Sequence, residues 1–170
     1  MRKICFPFKI IANFKAGEEV TLSGTIYTAR DQAHKKIVEL IRAGKPLPFS
    51  LKNNLIYYTG PTPSPPGKII GAAGPTTSSR MDLYAPILYQ LGLKATLGKG
   101  SRGPAVIEAC KKFNALYLVT YGGLGAYLTK FIKKSDLVAF PELGPEAIYR
   151  LEIENFPAIV AIDNKGRTIF

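Results

Sequence analysis

A mixed α/β domain with helices packed on a sheet is the fold class this sequence predicts, on three observations. Segments with strand-like, period-two alternation dominate both ends of the 170 residues. Strand and helix patterns alternate through the middle. The 16 glycines and 13 prolines demand many short elements and tight turns rather than a helical bundle. A length of 170 residues suits one domain, 1–170, with a core of its own.

The elements follow in order. Cys5 lies in a strand-like segment, and Ala16-Gly17-Glu18-Glu19 is a turn. Val20 to Tyr27 alternates apolar with small or polar residues, predicting a strand buried on one face. From Asp31 the period lengthens: Ala33, Ile37, Leu40 and Ile41 share a helical face, Asp31 is placed as N-cap, and Gly44 and Pro46 end the helix. Leu55 to Tyr58 is a short strand, and Pro61, Pro63, Pro65 and Pro66 make Thr59 to Gly67 an irregular loop. Lys68 to Ala72 predicts a strand feeding the block Gly74-Pro75-Thr76-Thr77-Ser78-Ser79-Arg80-Met81. Pro75 cannot donate a backbone hydrogen bond and Ser/Thr favour N-caps, so a helix is expected to start in this block. Its apolar stripe is Met81, Tyr84, Leu88 and Leu91, and Gly92 stops it.

Leu93 to Leu97 is the next strand, followed by a glycine-rich turn and a helix through Val106, Ile107, Cys110 and Phe113. Ala115 to Val119 carries no charge and reads as a central strand. Gly122-Gly123 opens a helix with Leu124, Leu128, Phe131 and Ile132 inward. Leu137 to Phe140, Arg150 to Ile153 and Ala158 to Ile162 read as strands. Asp163-Asn164-Lys165-Gly166 is a hairpin turn into a last strand, Arg167 to Phe170.

Composition excludes several chemistries. Two cysteines and one histidine cannot complete a four-ligand metal site without carboxylates, nor hold an iron–sulfur cluster by themselves. Cys5 and Cys110 are expected to be buried small hydrophobes. No apolar run approaches the length that crosses a bilayer, so no membrane partner is expected. Lys9 interrupts the short apolar run after Met1-Arg2-Lys3 and no small-residue cleavage site follows, which points to a cytoplasmic protein rather than a secreted one. The net charge of +11 raises nucleic acid as a partner. The lysines are dispersed, however, as Lys35-Lys36, Lys111-Lys112 and Lys133-Lys134 on polar helix faces, with no dense basic run. No nucleic-acid partner is therefore expected, and the field would draw in a small dianion.

Three strand-to-helix junctions carry cations: Arg30, the Thr76–Arg80 block, and Lys99. Loops beyond the carboxyl ends of neighbouring parallel strands converge on one crevice. Arginine forks match carboxylates and hydroxyls complete the remaining lone pairs, so this set suits a small dicarboxylate. Gly98-Lys99-Gly100-Ser101-Arg102-Gly103 also fits G-x-G-x-x-G, but the acid expected after the following strand is absent, which ranks dinucleotide binding last. In the preferred reading the glycines let the backbone approach a ligand while Lys99 supplies a point charge. His34 reads as a structural, hydrogen-bonded, neutral histidine. No acidic residue in these turns reads as an acid partner, so the set is half a site.

These residues carry a resemblance. Tyr27-Thr28-Ala29-Arg30-Asp31-Gln32-Ala33-His34, Tyr58-Thr59-Gly60-Pro61, the Gly74–Met81 block, Gly98-Lys99-Gly100, Tyr121-Gly122-Gly123, Pro141-Glu142-Leu143-Gly144 and Asn155-Phe156-Pro157-Ala158-Ile159-Val160 occur in one order. Together they resemble the β subunit of class I (iron–sulfur) fumarate hydratase, and the similar β subunit of L(+)-tartrate dehydratase, from about Gly17 onward. The resemblance implies a swivelling domain of the β/β/α type and a hydro-lyase that interconverts fumarate and (S)-malate, or dehydrates tartrate. It implies an α-subunit partner, in an α2β2 assembly, that holds a [4Fe-4S] cluster and an acid aspartate. It gives Thr76 the role of base at C3 of malate, gives the substrate carboxylates to Arg30, Arg80 and Lys99, and places Thr77 beside them in binding.

Overall fold

The computed structural model describes residues 1–8 and 13–170, so Lys9 lies outside the described residues. In chain order the elements are β1 (Arg2–Phe6), β2 (Glu19–Thr28), α1 (Asp31–Arg42), β3 (Leu55–Tyr57), α2 (Ala85–Gln90), β4 (Ala95–Gly98), α3 (Pro104–Lys112), β5 (Leu116–Val119), the single turn α4 (Gly125–Leu128), β6 (Ile132–Ala139) and β7 (Ile148–Ile162). Short 3-10 turns occupy Ser78–Met81, Thr129–Phe131 and Pro141–Glu146. A mixed α/β fold with helices on a sheet is thus observed.

β2, β3, β4 and β5 are parallel neighbours, each joined to the next by a helical crossover. β7 then runs antiparallel to both ends of this row. It pairs with β2 along one edge, from Arg150 to Ile159, and with β5 through Ile159 to Ile162 on the other. Five strands therefore close on themselves, and β1 and β6 extend the sheet from β2 and β7. Period-two alternation sorts side chains between two cores. Leu22, Ile26, Leu55, Tyr57, Leu97, Leu118 and Phe156 point into the closed sheet. Ile56, Tyr58 and Tyr117 point out beneath α1, α2 and α3.

Where Arg150 to Ile153 and Ala158 to Ile162 read as two strands, the fold has one strand of 15 residues. It passes through Asn155 at a positive φ of 54°. Opposite, the β2 register shifts between Leu22 and Gly24. Gly24 must be glycine: its φ is 104°, and a Cβ there would sit 2.1 Å from the carbonyl oxygen of Phe6 in β1.

Four other expectations are corrected. Lys68 to Ala72 forms no strand, because Ala72 exchanges hydrogen bonds with Thr62 of the proline-rich loop instead of a sheet edge. The helix after Gly122-Gly123 is one turn with Leu124 exposed, and Ile132 already belongs to β6. Arg167 to Phe170 contributes only an isolated bridge, Ile162 to Thr168. Cys5 is exposed rather than buried, since β1 is an edge strand whose Ile4 and Phe6 take the inner face. Cys110 is buried as expected, and burial pushes its thiol up to about 12.

Candidate active site

The carboxyl ends of the parallel strands β2 to β5 open on one edge of the sheet, and every cation singled out above follows one of them. The Thr76–Arg80 block is the centre of this edge. It does not begin a helix at Thr76: no side-chain cap bond forms at Thr77, and the only helical geometry is the 3-10 turn Ser78–Met81, with α2 starting later at Ala85. Instead, Thr76 and Thr77 wedge between the ends of β3 and β4, and the 3-10 turn follows from Ser78. The Thr76 N–H donates to Tyr58 O at 2.7 Å, and the Ser78 N–H donates to Lys99 O at 3.0 Å. Thr77 and Lys99 form a parallel bridge, and the Lys99 N–H donates back to Ser78 Oγ at 3.0 Å. Backbone pairing on both sides therefore outcompetes the helix cap that Ser/Thr propensity favours. Among the described residues the hydroxyls of Thr76 and Thr77 bond no other protein group.

Gly98 serves this wedge rather than a ligand. A Cβ at Gly98 would lie 1.9 Å from Ser78 Oγ, so only glycine lets the block sit against β4. Gly100, at a φ of 81°, is the turn glycine.

Arg30 caps α1 with extended backbone, its side chain packed where a Cβ on Gly60 would come within 3.0 Å of its Cδ. Asp31 is the first helical residue and makes no cap bond. Its carboxylate instead faces two arginines, at 3.0 Å from Arg80 Nη2 and 3.9 Å from Arg30 Nη2. The Arg30 Nε is buried without a hydrogen-bond partner. The N–H of Gln32 that a free helix N-terminus would offer is taken by Glu146 Oε1 at 3.3 Å. Lys99 is exposed, its stem 3.4 Å from where a Cβ of Gly122 would stand. Arg30, Asp31 and Arg80 thus form one cluster, and Thr77 and Lys99 stand side by side in the backbone. Asp31 is the acidic member of the cluster, and its pairing with the distant Arg80 has no signal in the sequence.

His34 is structural and neutral, as expected. It is fully buried, its Nδ1 lies 2.7 Å from Arg30 O, and its ring packs on Tyr58 and Tyr84. Burial lowers its pKa from 6.5 to about 4. The unfolded chain therefore binds a proton that the folded chain refuses, and stability is lost as pH falls from 6.5 toward 4, by about 3 kcal/mol from this group. Urea midpoints measured across that window should fall in the parent protein and flatten in His34→Gln. An equal slope in both would assign the loss to other groups.

Sequence reasoning missed the support beneath the turn. Arg102 is buried inside the domain, with its Nε 2.5 Å from Asp82 Oδ1 and its terminal nitrogens 3.3 Å from Thr96 Oγ1 and Tyr58 Oη. Its guanidinium also lies over the rings of Tyr58 and Tyr117. Tyr117 Oη contacts Ser78 Oγ at 2.9 Å and Gly100 O at 2.7 Å, which links this network to the Thr77–Lys99 bridge. The available signal was outward-facing Tyr58 just after β3 and Tyr117 in β5, on either side of β4, an unusual place for large polar side chains. The same network disposes of dinucleotide binding: the Gly103 N–H at the start of α3, where a pyrophosphate would sit, already donates to Asp82 Oδ2 at 2.7 Å.

On the other side of Gly60 a cleft of about 260 Å³ is lined by Pro61, Pro63, Ile70, Pro145 and Tyr149. It has no charged side chain and is not an anion site. Among the described residues no group of three or more His, Cys, Asp or Glu could hold a metal ion. Exposed Cys5 on β1 and buried Cys110 on α3 do not fit an iron–sulfur cluster. Among the described residues no helix is long and apolar enough to cross a membrane.

Residues 7–170 match the family described as fumarase C-terminus. Fumarate hydratase 2 of Leishmania major is 43% identical over 162 residues, covering 94% of this chain and 28% of its own length. The anaerobic class I fumarate hydratase of Escherichia coli is likewise 43% identical over 162 residues, covering 94% of this chain and 30% of its own length. The putative L(+)-tartrate dehydratase subunit beta of Methanocaldococcus jannaschii is 38% identical over 168 residues, covering 95% of this chain and 86% of its own length. The chain thus spans about three tenths of the two fumarate hydratases and most of the β subunit.

Proposed function

This chain belongs to the fumarase C-terminus family, and from that premise we propose that it is the β subunit of a hydro-lyase that reversibly hydrates fumarate to (S)-malate. The observation that carries the reading is the arrangement of Arg30 and Arg80 about Asp31, with Thr77 paired to Lys99, at the carboxyl edge of one parallel sheet. Guanidinium forks on Arg30 and Arg80 and the Lys99 ammonium hold the two carboxylates of the substrate. Thr76 stands at the end of the wedge with its N–H fixed by Tyr58 and its hydroxyl without a partner among the described residues, and it takes the C3 proton of malate or returns it in hydration. A hydroxyl is a poor base at neutral pH, so the surrounding cations must favour its ionised form.

The domain is of the swivelling β/β/α type and works in the cytoplasm. A [4Fe-4S] cluster, for which this chain lacks ligands, belongs to an α subunit that also supplies the acid, in an α2β2 assembly. The partner covers the edge carrying the cationic turns, because the site is completed there.

L(+)-tartrate dehydratase is a second reading, favoured by the coverage of the β subunit from Methanocaldococcus jannaschii. Both substrates are dicarboxylates and place the same demands on the cations. The test is Arg30→Ala, Arg80→Ala and Lys99→Ala in the assembled enzyme, assayed on fumarate, malate and tartrate. Each should lose roughly 2–5 kcal/mol in kcat/KM once the site is desolvated by the partner. Parental kcat/KM in all three variants would rule out a shared carboxylate crevice.

A further inference from the structure

We propose that Asp31 sets the charge of the crevice and makes it select dianions over trianions, an inference that rests on the carboxylate-crevice reading above. Arg30, Arg80 and Lys99 bring three positive charges to this edge, and among the described residues Asp31 is the one carboxylate in contact with two of them, at 3.0 Å from Arg80 Nη2 and 3.9 Å from Arg30 Nη2. Two charged pairs lie nearby, and Glu146 is a further carboxylate beside the helix start. Asp82 is bonded to Arg102 and to the Gly103 N–H, Lys36 is paired with Glu142 at 2.9 Å, and Glu146 sits on the Gln32 N–H against the partial positive charge of the helix start. Asp31 therefore offsets one of the three positive charges of the cluster, and that loss falls more heavily on a ligand with three carboxylates than on one with two.

The geometry of the pairs fits this role better than that of a closed salt bridge. Asp31 occupies one terminal nitrogen of Arg80 and leaves the rest of its fork open. Its contact with Arg30 is looser, and the Arg30 Nε is buried with no acceptor. The arginines are therefore held in place while still presenting donors. The Asp31 side chain is 33% exposed, so an isosteric amide can replace it without disturbing the core.

The experiment titrates the full chain at low ionic strength with succinate and with tricarballylate, which is succinate carrying one more carboxymethyl group. Binding is followed through arginine side-chain N–H resonances in the parent, Asp31→Asn, Asp31→Glu and Arg80→Ala. Removing one negative charge a few ångströms from the ligand should raise tricarballylate affinity relative to succinate about threefold to tenfold in Asp31→Asn. Asp31→Glu, which keeps the charge, should retain the parental ratio. An unchanged ratio in Asp31→Asn, beside a parent whose succinate binding is lost in Arg80→Ala, overturns the role of Asp31 and leaves the crevice standing. Binding of both probes that survives Arg80→Ala, or no binding in any variant, overturns the crevice reading and this proposal together.

Discussion

Thr76→Ala is expected to lower kcat about 10²–10⁴-fold in the assembled enzyme, the range lost with a general base, while fold and assembly survive. The structure makes this substitution unusually clean. An N-cap threonine would lose about 1 kcal/mol of stability on truncation, but no helix begins at Thr76, and its tie to Tyr58 is through the backbone N–H, which alanine keeps. Truncation therefore removes a hydroxyl that bonds nothing else among the described residues. Thr77→Ala is the internal control: its side chain is exposed beside Lys99, and its loss should raise KM more than it lowers kcat. Deuterium exchange at C3 of malate isolates the proton step. Undiminished exchange in Thr76→Ala would move the base elsewhere.

Arg102→Met is expected to cost about 3 kcal/mol of unfolding free energy, toward the lower end of what breaking a buried charge pair costs, because Asp82 keeps 23% of its side chain exposed. Burial disfavours the guanidinium charge, and Asp82 together with the Tyr58 and Tyr117 rings offsets that penalty. Removing it leaves the Asp82 carboxylate with the Gly103 N–H in place of its cation and takes a donor from Thr96 and Tyr58. Arg102→Lys should recover only part, since an ammonium cannot reach Asp82, Thr96 and Tyr58 from one planar fork. Urea unfolding measures both. A change within 1 kcal/mol for Arg102→Met would mean that the wedge is held by its backbone pairs alone.

Local patterns announced most elements, because alternation and helical period are properties of a few neighbouring residues. Val20 to Tyr27, the α1 stripe of Ala33 and Ile37, and the uncharged β5 all read directly. Ring closure did not, since it depends on β7 pairing with β2 and β5, partners more than 100 and about 40 residues away in sequence. Asn155-Phe156-Pro157 reads locally as a break, and only the register shift opposite Gly24 lets the strand continue through it. The hydroxyl block misled for the same reason: Ser/Thr propensity argues for a cap, whereas the gap between β3 and β4 argues for a wedge, and the gap is invisible in the sequence. That Arg30, Arg80 and Lys99 would share one sheet edge was legible because each sits at a strand-to-helix junction. The pairing of Asp31 with Arg80, 49 residues on, is a product of the fold and has no local signal in the sequence.

Fumarate hydration by the chain alone, set beside the same chain joined to a cluster-bearing partner under anaerobic conditions, tests the central claim most directly. A cationic half-site without metal ligands predicts background rates for the isolated, metal-free chain and turnover only in the complex. Robust hydration by the isolated chain would contradict it.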